Sequence, residues 1–370
     1  MLAAFDAVAR PVAAVALHQK PAVGEIRNIL LLELWHIGDV VLATSALQRL
    51  RRMYPAARVT LLAKPHAVEL LEGSNLVDEI ITFDFPWTSM SGKYRLGRYD
   101  RAEIARIVRR LRAEKIDLSI DCRMDLRNNL LTRSIRAGRR VGYNFGGGGF
   151  LLTDAVPPGP ADRHKVDDWM ALLDQLSGSS GGTEQAVPEP RLAVSSVERN
   201  EALTLLKSYG VQQGETIVAI HAGGSYPSKR WPADSFAEIG KRLASAHGAR
   251  LLAFIDPDGC GSDMQLGRDA IFVRTTLREM MALLTHCDLL ICNDSGPMHI
   301  AAALGVPVVA VFRTGSPEAY GPRGFGHTVV GRGAAWGETT DVPIEDVAEA
   351  ADSQLRGILP LESRPLSDRP

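Results

Sequence analysis

The sequence has few cysteines, little excess charge and no long apolar run. Its four cysteines are spread over 370 residues and none forms a C-x-x-C pair, which excludes a disulfide framework and predicts reduced thiols in a cytosolic protein. The net charge is -1, so no overall field attracts nucleic acid. No run approaches the ~18 apolar residues of a membrane-spanning helix. We therefore expect a soluble protein without a nucleic-acid partner.

Several catalytic motifs are also missing. No G-x-x-x-x-G-K-[ST], H-E-x-x-H or G-x-S-x-G occurs, so a P-loop, a zincin site and a nucleophile elbow are not predicted. Gly146–Gly149 follow no strand pattern and open no helix, so they do not match the dinucleotide-binding fingerprint. A dehydrogenase is therefore not favoured. Asp256-Pro257-Asp258 has the form of a D-x-D metal motif, but the proline suits a turn at a strand end equally well.

Short apolar segments alternate with helical patterns in two successive halves, which predicts βαβ units and parallel sheets. Strands are predicted at 28–34, 58–63, 79–83, 117–121, 216–221, 250–255, 270–273, 288–292 and 308–312. Helices are predicted at 40–53, 67–71, 102–113, 164–176, 198–209, 277–285 and 344–355, with two more after Pro232 and after the NDSGP turn, while 144–160 is predicted as loop. The fold class is therefore α/β, with two doubly wound halves.

The domain boundaries follow composition. The segment 177–190 is rich in Gly, Ser and Pro and is predicted as a linker between domains at 28–176 and 191–357. Residues 1–27 form an N-terminal extension without a basic n-region, so we expect no signal peptide but either a surface helix or a frayed end. Residues 358–370 are predicted to be a disordered tail.

The carboxyl ends of the predicted second-half strands carry polar, Gly- or Pro-rich turns, where ligands bind in open α/β sheets. These are AGGSYPSKR, DPDGC, NDSGP and RTGSP. In NDSGP, free N–H groups at a helix N-terminus favour an anion such as phosphate. Asp294 could accept a ribose or base hydrogen bond, Ser295 could bond phosphate, and His299 lies in the first turn. Ordinary capping of the helix by Asp294 or Ser295 explains the pattern equally well.

Two further groups of residues leave alternatives open. Ser225 and Lys229 could bind phosphate, while Asp39 could be a general base or only an acid favoured by the helix dipole. The stretch 101–140 holds twelve Arg or Lys against five acids. It indicates either solvated helix faces or a surface for an anionic partner.

Four segments together resemble glycosyltransferase family 9, the ADP-heptose:lipopolysaccharide heptosyltransferases. They are ILLLELWHIGDVVLATSALQRLRRMYPAARVTLLAKP, RAEKIDLSIDCRMDLRNNLLTRSIRAGRRVGYN, TIVAIHAGGSYPSKRWPADSFAEIGKRL and LLICNDSGPMHIAAALGVPVVAVFRTGSP. The resemblance implies a GT-B fold, in which two Rossmann-like domains face each other across a cleft. The N-terminal domain would bind the acceptor and the C-terminal domain the nucleotide-sugar.

The resemblance also implies inverting transfer of heptose from an ADP-sugar, without metal or cofactor. Asp39 matches the family's general base. The implied donor-binding residues are Ser225, Lys229, Asp294, Ser295, Gly296 and His299. Where the family has a ribose-binding glutamate, Asp258 is the nearest acid, and Ser295 replaces the family's threonine. The basic stretch, with Arg136 and Arg139, would suit a phosphorylated glycolipid acceptor at the cytoplasmic face of the inner membrane.

Two other hypotheses remain beside this one. A GT-B transferase could use a different donor, such as a UDP-sugar, and nucleotide preference would separate the two. A nucleotide-binding protein that has lost catalysis is the alternative from another class. Asp39 and Lys229 argue against it, because neither residue is needed for folding.

Overall fold

A computed structural model describes residues 25–88, 99–144, 148–176, 186–333 and 338–357. The chain divides into two compact units, residues 1–188 and 189–370, and the boundary falls inside the predicted linker. Residues 1–24 of the extension, 177–185 of the linker, part of the Gly146–Gly149 run and the whole predicted tail lie outside the described residues.

The first unit contains a six-stranded parallel sheet of order β3-β2-β1-β4-β5-β6. Its strands are β1 Asn28–Glu33, β2 Arg58–Ala63, β3 Glu79–Thr82, β4 Leu118–Asp121, β5 Arg139–Tyr143 and β6 Asp154–Val156. Its helices are α1 Ile37–Met53, α2 His66–Leu71, α3 Arg101–Ala113, α4 Leu126–Ile135 and α5 Lys165–Asp174. Central β1 reads NILLLE and is buried from Ile29 onward, as expected for a parallel strand covered on both faces.

The second unit repeats this architecture, with the order β12-β11-β10-β7-β8-β9. Its strands are β7 Ile217–His221, β8 Arg250–Phe254, β9 Ile271–Val273, β10 Leu289–Asn293, β11 Val308–Val311 and β12 His327–Val330. Its helices are α6 Ser196–Ser208, α7 Ala233–His247, α8 Leu277–Leu284, α9 Gly296–Ala303, α10 Pro317–Tyr320 and α11 Ile344–Gly357.

Both sheets change direction of winding between their first and fourth strands. β1 pairs in parallel with both β2 and β4, and β7 pairs with both β8 and β10. The crevice outside the carboxyl ends of such a pair is where open α/β sheets bind ligands. Ligand sites are therefore expected at the carboxyl ends of β1 and β4 in the first unit, and at those of β7 and β10 in the second.

Every predicted strand is present, and the predicted helices agree within three residues at their ends. The stretch 144–160, predicted to be rich in loop, also contains the short strand β6, which was not predicted and which pairs with β5. Strands β5 and β12 and helices α4 and α10 were not predicted. Within the described ranges, no helix combines the length and the apolar content needed to cross a bilayer.

Candidate functional site

Asp39 lies in the first turn of α1, directly after the end of β1. Its Oδ2 accepts a hydrogen bond from the His36 N–H at 3.1 Å, so it completes a capping box at the helix N-terminus. Its Oδ1 forms an ion pair with Nη2 of Arg123. The side chain is 13% exposed, so the carboxylate is largely buried but reachable.

Arg123 follows β4 and reaches back across the switch point to β1. Its Nη2 lies 3.6 Å from Oε1 of Glu33, the last residue of β1. Its guanidinium lies over the indole of Trp35, 5.2 Å from the ring centroid, at a distance suited to a cation–π contact. The Arg123 N–H donates to Oδ1 of Asp121 at 3.1 Å. One guanidinium therefore lies beside the carboxyl groups of both Glu33 and Asp39, and it is closer to Asp39.

The carboxyl groups in this cluster differ in protonation. Burial raises the pKa of Glu33 to about 8, with Arg123 opposing and Asp39 adding to the rise. Burial also raises the pKa of Asp121 to about 7. For Asp39 the same burial is outweighed by Arg123 and by the His36 N–H, so its pKa falls below the usual value. At neutral pH the cluster therefore holds an ionised Asp39 and a largely protonated Glu33.

A cavity of 160 Å³ opens beside this cluster. It is lined by Glu33, Asp39, Leu42, Cys122, Arg123, Met124, Lys165 and Trp169. Nζ of Lys165 is paired with Oδ2 of Asp168 at 2.7 Å, which places a second cation at the cavity wall. The cavity can therefore receive a polar group in contact with acidic and basic side chains.

In the second unit, Lys229 and Asp294 meet at the matching switch point. Lys229 ends a short 3-10 turn after β7, and its Nζ lies 2.5 Å from Oδ2 of Asp294, which follows β10. Ser295 precedes α9, and its buried Oγ makes no hydrogen bond within the described part of the chain. The helix begins Gly296-Pro297, and His299 is buried in its first turn. A cation, a free hydroxyl and a helix N-terminus are thus adjacent, a combination that suits an anion.

Asn293, which the sequence analysis did not select, holds the loop that carries Lys229. Its Nδ2 donates to the carbonyls of Ala222 at 2.8 Å and Gly223 at 3.1 Å. Its Oδ1 accepts from the Trp231 N–H at 2.9 Å. The side chain is fully buried, so all three bonds are shielded from water. The sequence did offer one sign of its importance, because Asn293 is a polar residue at the end of an otherwise apolar, buried strand.

A histidine–aspartate pair, of which only Asp256 was considered in the sequence, joins the ends of β7 and β8. Nε2 of His221 lies 2.9 Å from Oδ1 of Asp256. Gly223 packs on this pair so closely that an added Cβ would lie 1.8 Å from Oδ2 of Asp256. Asp256 therefore pairs with His221, while Asp258 bonds Nη2 of Arg230 at 3.0 Å. Across the described residues, no group of three His, Cys, Asp or Glu could hold a metal.

The remaining predicted residues lie apart from these clusters. Asp258 is exposed on the β8 loop, where a pocket of 540 Å³ extends to Trp231 and Ser262. Ser225 is exposed on the loop that leads to Lys229. Arg136 and Arg139 lie at the amino-terminal end of β5, whereas Asp39 follows the carboxyl end of β1 in the same parallel sheet. Nη2 of Arg139 is paired with Asp154 at 2.9 Å. The geometry therefore disfavours Arg136 and Arg139 as partners of an acceptor bound at Asp39.

Two doubly wound units with polar clusters at their switch points suit many ligand-binding enzymes, so the family has to come from comparison with known proteins. The family model described as glycosyltransferase family 9 (heptosyltransferase) matches residues 104–346, more than half of the chain. The chain belongs to glycosyltransferase family 9 and is a glycosyltransferase. The matched range holds the second site and Arg123, whereas Asp39 lies before it.

Individual relatives agree with the family. The chain is 24% identical to lipooligosaccharide heptosyltransferase 2 of Haemophilus influenzae, over 79% of this chain and 84% of that protein. It is also 24% identical to lipopolysaccharide heptosyltransferase 2 of Salmonella typhimurium, over 76% and 81%.

Solved structures confirm the GT-B fold class. The family 9 glycosyltransferase of Veillonella parvula superposes with a TM-score of 0.76 at 23% identity, over 91% of this chain and 99% of that one. The ADP-heptose lipopolysaccharide heptosyltransferase II of Escherichia coli gives a TM-score of 0.70 at 20% identity, over 89% and 98%.

Proposed function

We propose that this glycosyltransferase is an inverting heptosyltransferase that moves heptose from ADP-heptose to a lipopolysaccharide core or a related anionic glycan. The observation that carries the proposal is the pair of ionic clusters at the two switch points. One joins Asp39 to Arg123 and the other joins Lys229 to Asp294. The first offers a base to a hydroxyl, and the second offers a cation to a diphosphate.

The second unit would hold the donor. Lys229, the hydroxyl of Ser295 and the N–H groups at Gly296 can all meet diphosphate oxygens, while Ser225 stands on the same loop as Lys229. The cation neutralises the negative charge that develops on the leaving ADP, which is where electrostatic stabilisation is most effective. Asp294 and His299 would contact the nucleotide or the sugar, and Asp258 the ribose.

The first unit would activate the acceptor. As the acceptor oxygen attacks the anomeric carbon, the carbon–oxygen bond to the diphosphate breaks and the hydroxyl proton passes to Asp39. A single displacement of this kind inverts the anomeric configuration. The proposal assigns no step to a metal or a cofactor.

The acceptor and location belong to the proposal as well. Curated relatives are lipopolysaccharide and lipooligosaccharide heptosyltransferases, which supports an anionic glycolipid as the acceptor. Binding such a lipid would bring the enzyme into peripheral contact with the cytoplasmic face of the inner membrane.

Turnover of ADP-heptose tests the base. Asp39→Asn should lower kcat by about 10²–10⁴-fold, the usual contribution of a positioned base. Asp174→Asn is the matched control, since Asp174 is an aspartate of the same unit that is also paired with an arginine, Arg49. NMR of the product should show the inverted anomer. Full activity in Asp39→Asn, or retained configuration, would contradict the mechanism.

Nucleotide binding tests the donor. Calorimetry with ADP, UDP and GDP should show clear preference for ADP. Preference for UDP would keep the fold and the sites but replace the donor with a UDP-sugar. Absence of binding to all three would contradict the assignment of the donor site to the second unit.

A further inference from the structure

Two carboxyl groups, Glu33 and Asp39, stand at the end of β1 and line the same cavity. Either could in principle accept a proton from a hydroxyl placed there. Glu33 is the more buried, with 2% of its side chain exposed, against 13% for the Asp39 side chain. Their main difference is the position of Arg123, whose Nη2 contacts Asp39 directly but lies 3.6 Å from Glu33.

Glu33 shows what burial does to an acid at this place when the cation is not in direct contact. Burial penalises the ionised form and raises the pKa, and Glu33 reaches about 8 despite its share of the Arg123 charge. Burial is also the largest single influence on the pKa of Asp39, and it acts to raise that pKa. The pKa is nevertheless lowered overall, and Arg123 is the largest of the causes that lower it. Without the guanidinium, the pKa of Asp39 would rise, and a smaller share of the carboxylate would be ionised and able to accept a proton at acidic pH.

Arg123 is also fixed in place. Its guanidinium lies on the indole of Trp35, and its side chain is 20% exposed. Its backbone N–H donates a hydrogen bond to Oδ1 of Asp121. Within the described residues, the other charged or titratable groups around the two carboxyls include His36, His66, Asp121, Cys122 and Lys165. Nζ of Lys165 is paired with Oδ2 of Asp168 at 2.7 Å.

We infer that Arg123 is the positioning residue that makes Asp39, rather than Glu33, the base of the reaction. Its ion pair fixes one oxygen of Asp39 while the His36 N–H fixes the other. The indole of Trp35 lies under the guanidinium, and Oε1 of Glu33 lies 3.6 Å from its Nη2. The inference rests on the proposed function, because it requires that Asp39 accept the proton of the acceptor.

The test is the pH dependence of kcat/KM with ADP-heptose and acceptor, which reports the pKa values of the free enzyme. In Arg123→Gln the acid limb should move to higher pH by on the order of one unit, because an adjacent cation lowers a carboxyl pKa by 1–3 units. In the same variant kcat should fall while the KM for the donor stays unchanged. Arg123→Lys keeps a charge but not the planar fork, so a smaller shift in the same direction is expected.

Arg127→Gln is the matched control. Arg127 lies four residues further along the chain, and its Nη2 is paired with Oδ2 of a different aspartate, Asp125. Its pH profile should match that of the unsubstituted enzyme. Should Arg123→Gln fail to fold, as judged by circular dichroism, the shift in Arg123→Lys decides the question.

The outcomes separate the inference from the proposed function. An acid limb that does not move in either Arg123 variant, while Asp39→Asn is inactive, overturns the role of Arg123 and leaves Asp39 as the base. A fully active Asp39→Asn removes the base assignment and the inference with it. A limb that shifts in the Arg123 variants and not in Arg127→Gln supports both.

Discussion

Lys229 and Asp294 are separated by 65 residues, yet Nζ of one lies 2.5 Å from Oδ2 of the other. The contact exists because β7 and β10 are neighbours in the sheet and both residues follow the carboxyl ends of those strands. Asp294 is 8% exposed at its side chain and Lys229 21%. A largely buried carboxylate therefore keeps the lysine in place before any anion arrives, and a diphosphate would share the cation with it.

Removing the cation should weaken ADP binding. Hydrogen bonds to charged groups contribute about 1.5–3 kcal/mol, so Lys229→Ala should raise the Kd for ADP by roughly 10- to 100-fold in calorimetry. The negative charge of Asp294 would then repel the diphosphate as well. Lys241→Ala, an exposed lysine of α7, should leave the Kd unchanged. Equal affinities for ADP in the two variants would refute the role of Lys229.

Asn293 should matter for stability and for the site together. Asn293→Ala leaves two buried carbonyls and one N–H without their partner, and each such group costs about 1–3 kcal/mol. Allowing for relaxation of the loop, we expect a loss of roughly 2–4 kcal/mol in the free energy of unfolding. Chemical denaturation measures this loss, and calorimetry should show weaker ADP binding in the folded variant. A stable variant that binds ADP normally would show that the loop does not depend on Asn293.

Adjacent glycines offer a matched pair. A Cβ on Gly223 would lie 1.8 Å from Oδ2 of Asp256 and 2.8 Å from Cε1 of His221, whereas on Gly224 its nearest contact would be 3.6 Å. Gly223→Ala should therefore displace the loop and weaken ADP binding, while Gly224→Ala should have little effect. Calorimetry on both proteins checks this, and equal losses would argue against the close approach at Gly223.

The raised pKa of Glu33 predicts a pH-dependent change in stability. The folded protein holds the Glu33 proton up to about pH 8, whereas the ordinary value is 4.5. Between these values the folded state binds more protons than the unfolded state, so the contribution of Glu33 to stability falls as pH rises. Glu33→Gln removes this loss. Relative to the unsubstituted protein it should gain roughly 1–3 kcal/mol between about pH 5 and about pH 8.

Thermal or chemical unfolding at several pH values measures that difference. Glu69→Gln is a suitable control, since Glu69 is a glutamate of the same unit that lies on α2 and is only partly buried. A difference between Glu33→Gln and the parent protein that does not vary with pH would mean that Glu33 is ionised in the folded state.

Much of the fold was predictable because its central strands are apolar throughout. β1 and β10 have no long polar interruption, and the turns after them contain Gly38-Asp39 and Ser295-Gly296-Pro297, which mark the start of a helix. Segments with mixed composition were missed. β5 begins with two arginines, and α4, read LRNNLLTRSI, contains two asparagines that have low helix propensity.

The site was predictable only in part, for a different reason. Asp39 and Lys229 follow apolar strands and are charged, so they stand out along the chain. Their partners are fixed by strand order, which periodicity does not reveal. Arg123 was one of twelve basic residues in its stretch, and only the pairing of β1 with β4 shows that it reaches Asp39. Arg136 and Arg139 were chosen only because their stretch is basic. In the sheet they lie at the amino-terminal end of β5, away from the carboxyl ends where Asp39 lies.

The strand order shared by the two sheets has a consequence for the folding pathway. Each polar cluster joins the first strand of its sheet to the fourth, so the bonds from Asn293 span 62 to 71 residues. Contacts of such long sequence separation form slowly, because the loop entropy is lost before the contact is gained. A ribosome that has released the chain only as far as Val273 has exposed Lys229 but not Asn293 or Asp294. Until β10 docks beside β7, the nascent second unit would have no preformed anion site.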